Sequence, residues 1–257
     1  MRLSCCAYSF RQDLQQGRLS LEDFIIRCRE LDLDGVELTS YYFSSTERAY
    51  LNRIKLAAHR EGLAISGTAI GTDFADPDQQ RRRDCVSNAI QWIGHSVTLG
   101  APTMRVFAGN VRQGCAEEQA FKNVVDCLQE CAAMAWEQGV LLALENHGGL
   151  TSTALSTISL LDAVASPAVG CNLDFGNFHG DIYGQFAYCA GRAVACHAKV
   201  TSEGAQQGER VRVDYSRVRT ILEDSGYRGY IAIEYEEEEP AATGVPEFAA
   251  LLRRELR

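Results

Sequence analysis

LLALENHGG, residues 141–149, joins a nearly continuous apolar run to a carboxylate, Glu145, and then to a polar loop. The same form recurs three times further along the chain: VGCNLDFGNF (169–178), AVACHAKV (193–200) and YIAIEYE (230–236). Runs this apolar are typical of parallel strands that are covered on both faces. The four stretches therefore predict neighbouring parallel strands, each with a polar residue near its carboxyl end.

Strand-like and helix-like segments alternate along the whole chain. Eight short apolar runs are predicted to be strands: Leu3–Tyr8, Gly35–Leu38, Ala64–Ile70, Met104–Phe107, Val140–Glu145, Val169–Asp174, Val194–Val200 and Tyr230–Tyr235. Eight segments are predicted to be helices: Leu21–Leu31, Ser45–Glu61, Asp78–Leu99, Glu117–Glu137, Thr153–Val164, a short piece near Phe186–Ala193, Tyr215–Ser225 and Pro246–Leu256. Eight such units fit a closed (β/α)₈ barrel, which typically takes about 250 residues. We therefore expect an α/β chain, a (β/α)₈ TIM barrel that forms a single domain over residues 1–257.

Local signals support this interpretation. Apolar residues between 121 and 132 recur with the period of an amphipathic helix. Ser20 followed by Asp23 resembles a helix-capping pair, and Gly139 stands where a helix gives way to a strand. No glycine-rich phosphate turn follows the first strand, which disfavours an open doubly wound sheet. The longest loops are expected at Gly71–Pro77, Ala108–Ala116, Gly176–Gly184 and Thr201–Val213.

Composition limits the kinds of binding partner and the cellular compartment that we expect for this chain. The net charge is −9, from 25 basic and 34 acidic residues, which disfavours a nucleic-acid partner. No run approaches the roughly 18 apolar residues of a membrane span, so no membrane partner is expected. The ten cysteines include no CxxC pair and most lie in apolar runs, as free thiols do in a reducing compartment. We expect a cytoplasmic protein without disulfides.

Four polar residues at the ends of the last four predicted strands are the candidate metal ligands: Glu145, Asp174, His197 and Glu234. They are separated by 29, 23 and 37 positions, each enough for a helix and the next strand. Three carboxylates and an imidazole suit divalent cations that prefer oxygen ligands. Taken singly, each has a structural explanation: a carboxylate bonded to loop amides, a turn-forming aspartate or a core histidine. Glu145 is expected to be exposed in the barrel mouth.

The whole chain resembles the sugar-phosphate isomerase/epimerase group of xylose isomerase-like TIM barrels. The matching motifs occur in order: DGVEL with Glu37, MRVFAG with Arg105, LENHGG, DFGN, HAK and IAIEYE. The group also contains ketose 3-epimerases, hydroxypyruvate isomerases and inosose dehydratases. The resemblance implies one divalent metal held by Glu145, Asp174, His197 and Glu234. Mn²⁺ is expected first, with Mg²⁺, Co²⁺ or Zn²⁺ as alternatives.

The resemblance also implies substrate contacts. Arg105 and Lys199 are candidates to hold substrate oxygens, and His147 is a candidate for contact with substrate or a metal ligand. Ketose 3-epimerases usually carry a histidine three residues after the metal-binding aspartate, where this chain has Asn177. We therefore do not expect this chain to share the substrate site of the ketose 3-epimerases unchanged. Asn177 and His179, two residues further on, are candidates for substrate contact.

The implied activity is proton transfer next to a carbonyl through an enediolate, with Glu145 and Glu234 exchanging protons on opposite faces of a sugar or polyol-derived substrate. Two alternatives stay open: a metal-dependent dehydratase and a barrel that binds metal without catalysis. The related abasic-site endonucleases are disfavoured, since they use many histidines and this chain has five, with His59 and His95 in predicted helices. Relatives often form homodimers or homotetramers.

Overall fold

Eight parallel strands close into one barrel in the computed structural model, which describes residues 1–204 and 209–256. The barrel strands are β1 (Arg2–Cys6), β2 (Gly35–Thr39), β3 (Ala64–Ala69), β4 (Thr103–Val106), β5 (Leu141–Glu145), β6 (Val169–Asp174), β7 (Ala193–Ala198) and β10 (Tyr230–Ile233). β1 pairs with both β2 and β10, which closes the ring. The predicted (β/α)₈ fold is confirmed, while the domain boundaries 1–257 stay a prediction.

Helices cover the outside of the barrel. Their bounds are α1 (Arg11–Gln15), α2 (Leu21–Glu30), α3 (Arg48–Arg60), α4 (Gln79–Leu99), α5 (Glu117–Gln138), α6 (Ala154–Val164), α7 (Ile182–Ala190), α8 (Tyr215–Asp224) and α9 (Ala241–Leu256). Ser20 caps α2 through a reciprocal bond pattern with Asp23, and Gly139 ends α5 in the left-handed conformation. Within the described residues, no helix is both long and apolar enough to cross a membrane.

Three parts of the predicted pattern are wrong. α7 begins at Ile182 rather than near Phe186, because Asp181 caps it by accepting a hydrogen bond from the Gly184 amide. α9 begins at Ala241, five residues before Pro246, and its first turn bonds to the Pro240 carbonyl. The expected loop Thr201–Val213 contains an antiparallel hairpin of β8 (Thr201–Glu203) and β9 (Arg210–Arg212), and its residues 205–208 lie outside the described ones.

Two irregularities in strand register lie beside polar residues of the barrel. One falls between Val36 and Glu37 in β2, and the other between Cys171 and Asn172 in β6. In both places the unpaired extra residue lies on the partner strand, Ser66 in β3 and Val194 in β7, so β2 and β6 keep their regular alternation. Glu37 and Asn172 are fully or almost fully buried among the strand ends.

Close packing between β6 and β7 requires a glycine at position 170. A Cβ atom there would lie 2.8 Å from the Arg192 carbonyl oxygen and would also overlap the Val194 side chain. We expect Gly170→Ala to lower the free energy of unfolding by about 1–3 kcal/mol, the usual cost of overpacking. Thermal and urea unfolding followed by circular dichroism measure this.

Gly94→Ala is the matched control, because Gly94 lies inside α4 with open space around its Cβ position. Alanine there should raise stability by about 0.5–1 kcal/mol, since glycine is a poor helix former. Equal stability of the two variants would contradict the packing argument.

Candidate metal centre and active site

The four predicted ligands come together at the carboxyl end of the barrel. Suitable atoms of Glu145, Asp174, His197 and Glu234 all lie within 4.8 Å of one another. β5, β6 and β7 are adjacent and in register at this level, with Glu145 beside Asn172 and Asp174 beside His197. The parallel sheet thus brings residues far apart in sequence to one point.

The cluster is buried, and one expectation about it is wrong. Glu145 is 1% exposed rather than open to solvent in the barrel mouth, and Asp174 and His197 are completely buried. Neighbouring strand ends and basic side chains cover Glu145: the Nε atom of Arg105 lies 3.2 Å from its Oε2 atom. A carboxylate in such a place is stabilised only by partners of opposite charge or by hydrogen bonds.

Glu37 orients the imidazole of His197. The Nε2–H group of His197 donates to Glu37 Oε1 at 2.9 Å, because a carboxylate can only accept. This leaves the Nδ1 lone pair of a neutral ring facing Glu145, Asp174 and Glu234, whose nearest oxygens lie 3.4, 3.8 and 3.4 Å away. A carboxylate behind the ring in this way fixes the tautomer of a metal-binding histidine.

Asparagine side chains hold the Glu145 carboxylate and the backbone of Asp174. Asn172 Nδ2 donates to Glu145 Oε2 at 2.9 Å, and Asn177 Nδ2 donates to Glu145 Oε1 at 3.4 Å. Asn146 continues the sheet beyond β5: its Oδ1 accepts from the Asp174 amide and its Nδ2 donates to the Asp174 carbonyl. These bonds fix the strand ends that carry the acidic groups.

Lys199 lies between three carboxylates. Its Nζ atom is 2.6 Å from Glu234 Oε2, 3.7 Å from Asp174 Oδ2 and in close contact with Glu236. Burial lowers the pKa of Lys199, but attraction to Asp174, Glu234 and Glu236 outweighs burial and holds that pKa well above its usual value. His197 and Lys199 alternate with Ala198 and therefore face the same side of their chain segment.

The acidic groups respond differently to this environment. Burial raises the pKa of Asp174 to about 7, an effect that Lys199 and His197 oppose and that Glu145 and Glu234 reinforce. Burial also acts to raise the pKa of Glu234, but Lys199 and His197 together hold it well below its usual value. The cluster thus contains more carboxylates than the neighbouring Lys199 and Arg105 side chains can neutralise.

Two orphaned atoms show that the residues fit a cation. Asp174 Oδ2 and His197 Nδ1 are buried and have no hydrogen-bond partner within the described structure. Both atoms face the same small space as the Glu145 and Glu234 carboxylates. A divalent cation there would give each atom a partner, since buried polar groups without partners are costly. Three oxygen ligands and one nitrogen ligand suit Mn²⁺, Mg²⁺, Co²⁺ or Zn²⁺.

Other predicted site residues lie at different distances from the cluster. Arg105 and Asn177 contact Glu145 directly. His147 is exposed and packs its ring on Phe107, with the centroids 4.4 Å apart. His179 is not brought into the cluster, because its Nδ1 atom lies 2.7 Å from Glu203 in the hairpin and its side chain is 55% exposed.

Sequence reasoning missed three polar contacts of the cluster. Glu37 was noted only as part of a matching motif, and Asn172 and Cys6 were not singled out. The Cys6 thiol donates to Glu234 Oε1 at 3.7 Å. A polar residue two positions before a candidate ligand on the same strand, as Asn172 stands before Asp174, is the signal that could have revealed one of them.

The fold and the buried cluster define a (β/α)₈ barrel with one candidate divalent-metal centre. The sequence profile described as Xylose isomerase-like TIM barrel matches residues 25–255. The chain therefore belongs to the xylose isomerase-like TIM barrel family. No curated protein sequence matches it significantly.

Solved structures share the fold at low sequence identity. D-Psicose 3-epimerase from Clostridium cellulolyticum H10 is 16% identical with a TM-score of 0.83, over 100% of both chains. The probable 3-DHS dehydratase AsbF from Bacillus anthracis is 18% identical with a TM-score of 0.79, over 98% of this chain and 99% of that one. The IOLI protein with a zinc atom is 16% identical with a TM-score of 0.79, over 99% and 96%. One fold thus carries epimerase and dehydratase neighbours.

Glu37→Gln tests the orientation of His197. Glutamine can present its amide nitrogen to Nε2 and has no charge, so the ring loses its fixed tautomer. We expect Mn²⁺ to bind about 10–100-fold more weakly, the usual effect of losing such a partner. Equilibrium dialysis with metal analysis measures this.

Glu61→Gln is the control, because Glu61 pairs with Arg29 on the outer surface of the barrel. It should leave Mn²⁺ affinity unchanged. Identical affinity in Glu37→Gln and wild type would show that Glu37 does not position the ligand.

Proposed function

We propose that the protein is a divalent-metal-dependent isomerase or epimerase that acts on a sugar or sugar derivative by proton transfer next to a carbonyl. The observation that carries this proposal is the pairing of two buried glutamates, Glu145 and Glu234, around the His197 imidazole at 3.4 Å each. Two carboxylates on one reacting carbon can remove and return a proton. The epimerase neighbour of the same fold supports the same class of chemistry.

The metal would be held by Glu145, Asp174, His197 and Glu234, with Mn²⁺ as the proposed physiological ion. When bound, it supplies a Lewis acid that stabilises the negative charge developing on a substrate oxygen. Asp174 has no proposed part in proton transfer, and Asn146 holds its backbone from both sides. His197 is likewise proposed as a ligand only.

Glu234 and Glu145 are proposed to share the proton transfer. Attraction to Lys199 keeps the pKa of Glu234 low despite its burial, so this carboxylate is ionised before substrate binds. Arg105 and Asn172 both contact Oε2 of Glu145, and Asn177 donates to its Oε1 atom. These contacts hold the carboxylate in place for a proton on the other face. Removal on one face and return on the other inverts a stereocentre, and return at the neighbouring carbon moves the carbonyl.

Substrate contact is proposed for Arg105, His147, Asn177, His179 and Lys199. Lys199 is the best placed of these, since its ammonium group lies against Glu234 and Asp174 and can donate to a substrate oxygen. Arg105 is 3% exposed and contacts Glu145, so its effect on substrate passes through that carboxylate. His179 lies beside Glu203 and would reach substrate only from the hairpin side of the mouth.

A small sugar or polyol-derived molecule is the proposed substrate, with no nucleic acid or membrane partner. A cytoplasmic location and a homodimeric or homotetrameric state are proposed from the family resemblance and from the free cysteines. All ten cysteines are unpaired thiols in the described structure.

A dehydratase is the second candidate. Asn177 favours it, because ketose 3-epimerases usually carry a histidine at that position and the Asn177 amide instead donates to Glu145. The same first proton abstraction followed by loss of a β-hydroxyl would give an unsaturated ketone. A barrel that only binds metal is the third candidate, and it would show metal binding without turnover of any ketose.

Proton exchange in D₂O tests the proposal. The Mn²⁺-loaded protein should incorporate deuterium next to the carbonyl of one or more ketoses from a broad panel, as followed by NMR and mass spectrometry. Glu234→Gln and Glu145→Gln should each lower the exchange rate by about 10²–10⁴-fold, the usual contribution of an acid–base group. Glu223→Gln, on the outer face of α8 beside Arg219, is the control and should exchange like wild type.

The dehydratase gives a different signal, a new unsaturated-ketone absorbance. An unsaturated-ketone absorbance that appears with each turnover would show a dehydratase and not an isomerase. Absence of both signals across the panel would contradict both.

A further inference from the structure

A small cavity with several polar side chains in its lining lies at the carboxyl end of the barrel. It has a volume of about 170 Å³ and lies among the loops that follow β3, β4 and β5. β5 ends in Glu145, so the cavity begins two residues beyond a candidate catalytic group, at His147. A stack of Arg105, Phe107 and His147 side chains joins the two places: the guanidinium lies 3.9 Å from the Phe107 centroid and the His147 ring 4.4 Å from it.

Two hydroxyl groups of the cavity wall are already used to fix the loops. Thr72 Oγ1 donates to the Phe107 carbonyl and accepts from the Phe107 amide, both at 2.7 Å. Thr151 Oγ1 donates to the Gly148 carbonyl and accepts from the His147 amide, both at 3.0 Å. These bonds make the wall rigid. The polar groups left to meet a ligand are the side chains of Asp73, Asn110 and His147.

The charge at this cavity is that of a site for neutral molecules. Arg112 is in close contact with the Asp73 carboxylate, which neutralises it, while the other Asp73 oxygen is buried without a hydrogen-bond partner in the described structure. Two other cations at the barrel mouth are also paired with carboxylates: Lys199 with Glu234, and Arg210 with Glu237. A phosphate group would have to share each of these cations with a carboxylate, and it would then lie beside that carboxylate.

The dimensions suit a short hydroxylated chain. A water molecule occupies about 30 Å³ of liquid, so the cavity has room for a few hydroxyl-bearing carbons. Hydroxyl groups both donate and accept, which matches the carboxylate, amide and imidazole side chains of the cavity lining. The Phe107 ring offers an apolar surface for the carbon–hydrogen faces of such a chain.

We propose that this cavity receives the hydroxyl-bearing end of an unphosphorylated substrate, and that the Asp73–Arg112 pair excludes phosphorylated sugars. The inference rests on the proposed function, which places the carbonyl end of the same substrate between Glu145 and Glu234. Asp73 acts as a specificity-determining residue: its carboxylate removes the free positive charge that a phosphate would need and repels the phosphate itself.

The test compares two unreactive probes, D-glucitol and D-glucitol 6-phosphate, on the Mg²⁺-loaded protein. Saturation-transfer NMR reports which protons of each probe touch the protein, and calorimetry reports affinity. We expect D-glucitol to bind with contacts along its chain and the phosphate ester to bind about tenfold more weakly, because its phosphate would meet the like charge of Asp73. Tighter binding of the phosphate ester than of D-glucitol would overturn the inference, and so would no binding of either probe.

Asp73→Asn separates the role of charge from that of shape. The amide keeps the size of the side chain and releases Arg112, so binding of the phosphate ester should rise about tenfold relative to D-glucitol. Asp73→Asn combined with Arg112→Gln should lose that gain. Asp126→Asn, which breaks an exposed pair with Lys122 on α5, is the matched control and should leave the ratio of affinities unchanged. An unchanged ratio in Asp73→Asn would overturn the inference.

Failure of this inference is distinguishable from failure of the proposed function. Deuterium exchange confined to phosphorylated ketoses would leave the function standing and would overturn the assignment of substrate class. Selective binding of D-glucitol without exchange on any ketose would support the assignment of ligand class and contradict the proposed reaction.

Discussion

Buried negative charge at the carboxyl ends of the strands is the constraint on which the site depends. Glu145, Asp174 and Glu234 surround one imidazole, and a fourth carboxylate, Glu37, lies behind it. Removing such groups from water is costly unless opposite charge and hydrogen bonds replace the solvent. Lys199 and Arg105 supply part of that charge, yet two buried atoms stay without hydrogen-bond partners in the described structure. A divalent cation would add the missing positive charge and would give both buried atoms a partner.

The barrel makes this concentration of charge possible because its strand ends are held from several sides. Asn146 links the ends of β5 and β6, and Asn172 and Asn177 donate to the Glu145 carboxylate. Parallel pairing then fixes the distances between side chains on different strands. Rigid placement of this kind is what proton transfer requires, since small errors in position cost much of the rate.

The sequence predicted the fold and the convergence of four polar residues well, for identifiable reasons. Apolar runs separated by helix-length segments define the barrel, and a charged residue at the end of such a run, as in LLALE, is conspicuous. Exposure of Glu145 was misjudged, because the basic side chains that cover it come from other strands. Glu37 and Asn172 were missed because the pattern of one strand does not show which side chains of other strands it meets, and the three-residue strands of the hairpin are too short to show a pattern.

The bound metal tests the central claim most directly. Inductively coupled plasma mass spectrometry of the purified protein should find about one equivalent of a divalent ion, lost in Asp174→Ala and kept in Asp162→Ala, whose carboxylate pairs with Arg192 on the surface. Circular dichroism of both variants would show that the barrel is folded. No metal in the wild-type protein, even after incubation with Mn²⁺ or Co²⁺, would contradict the account, and so would full retention of metal by Asp174→Ala.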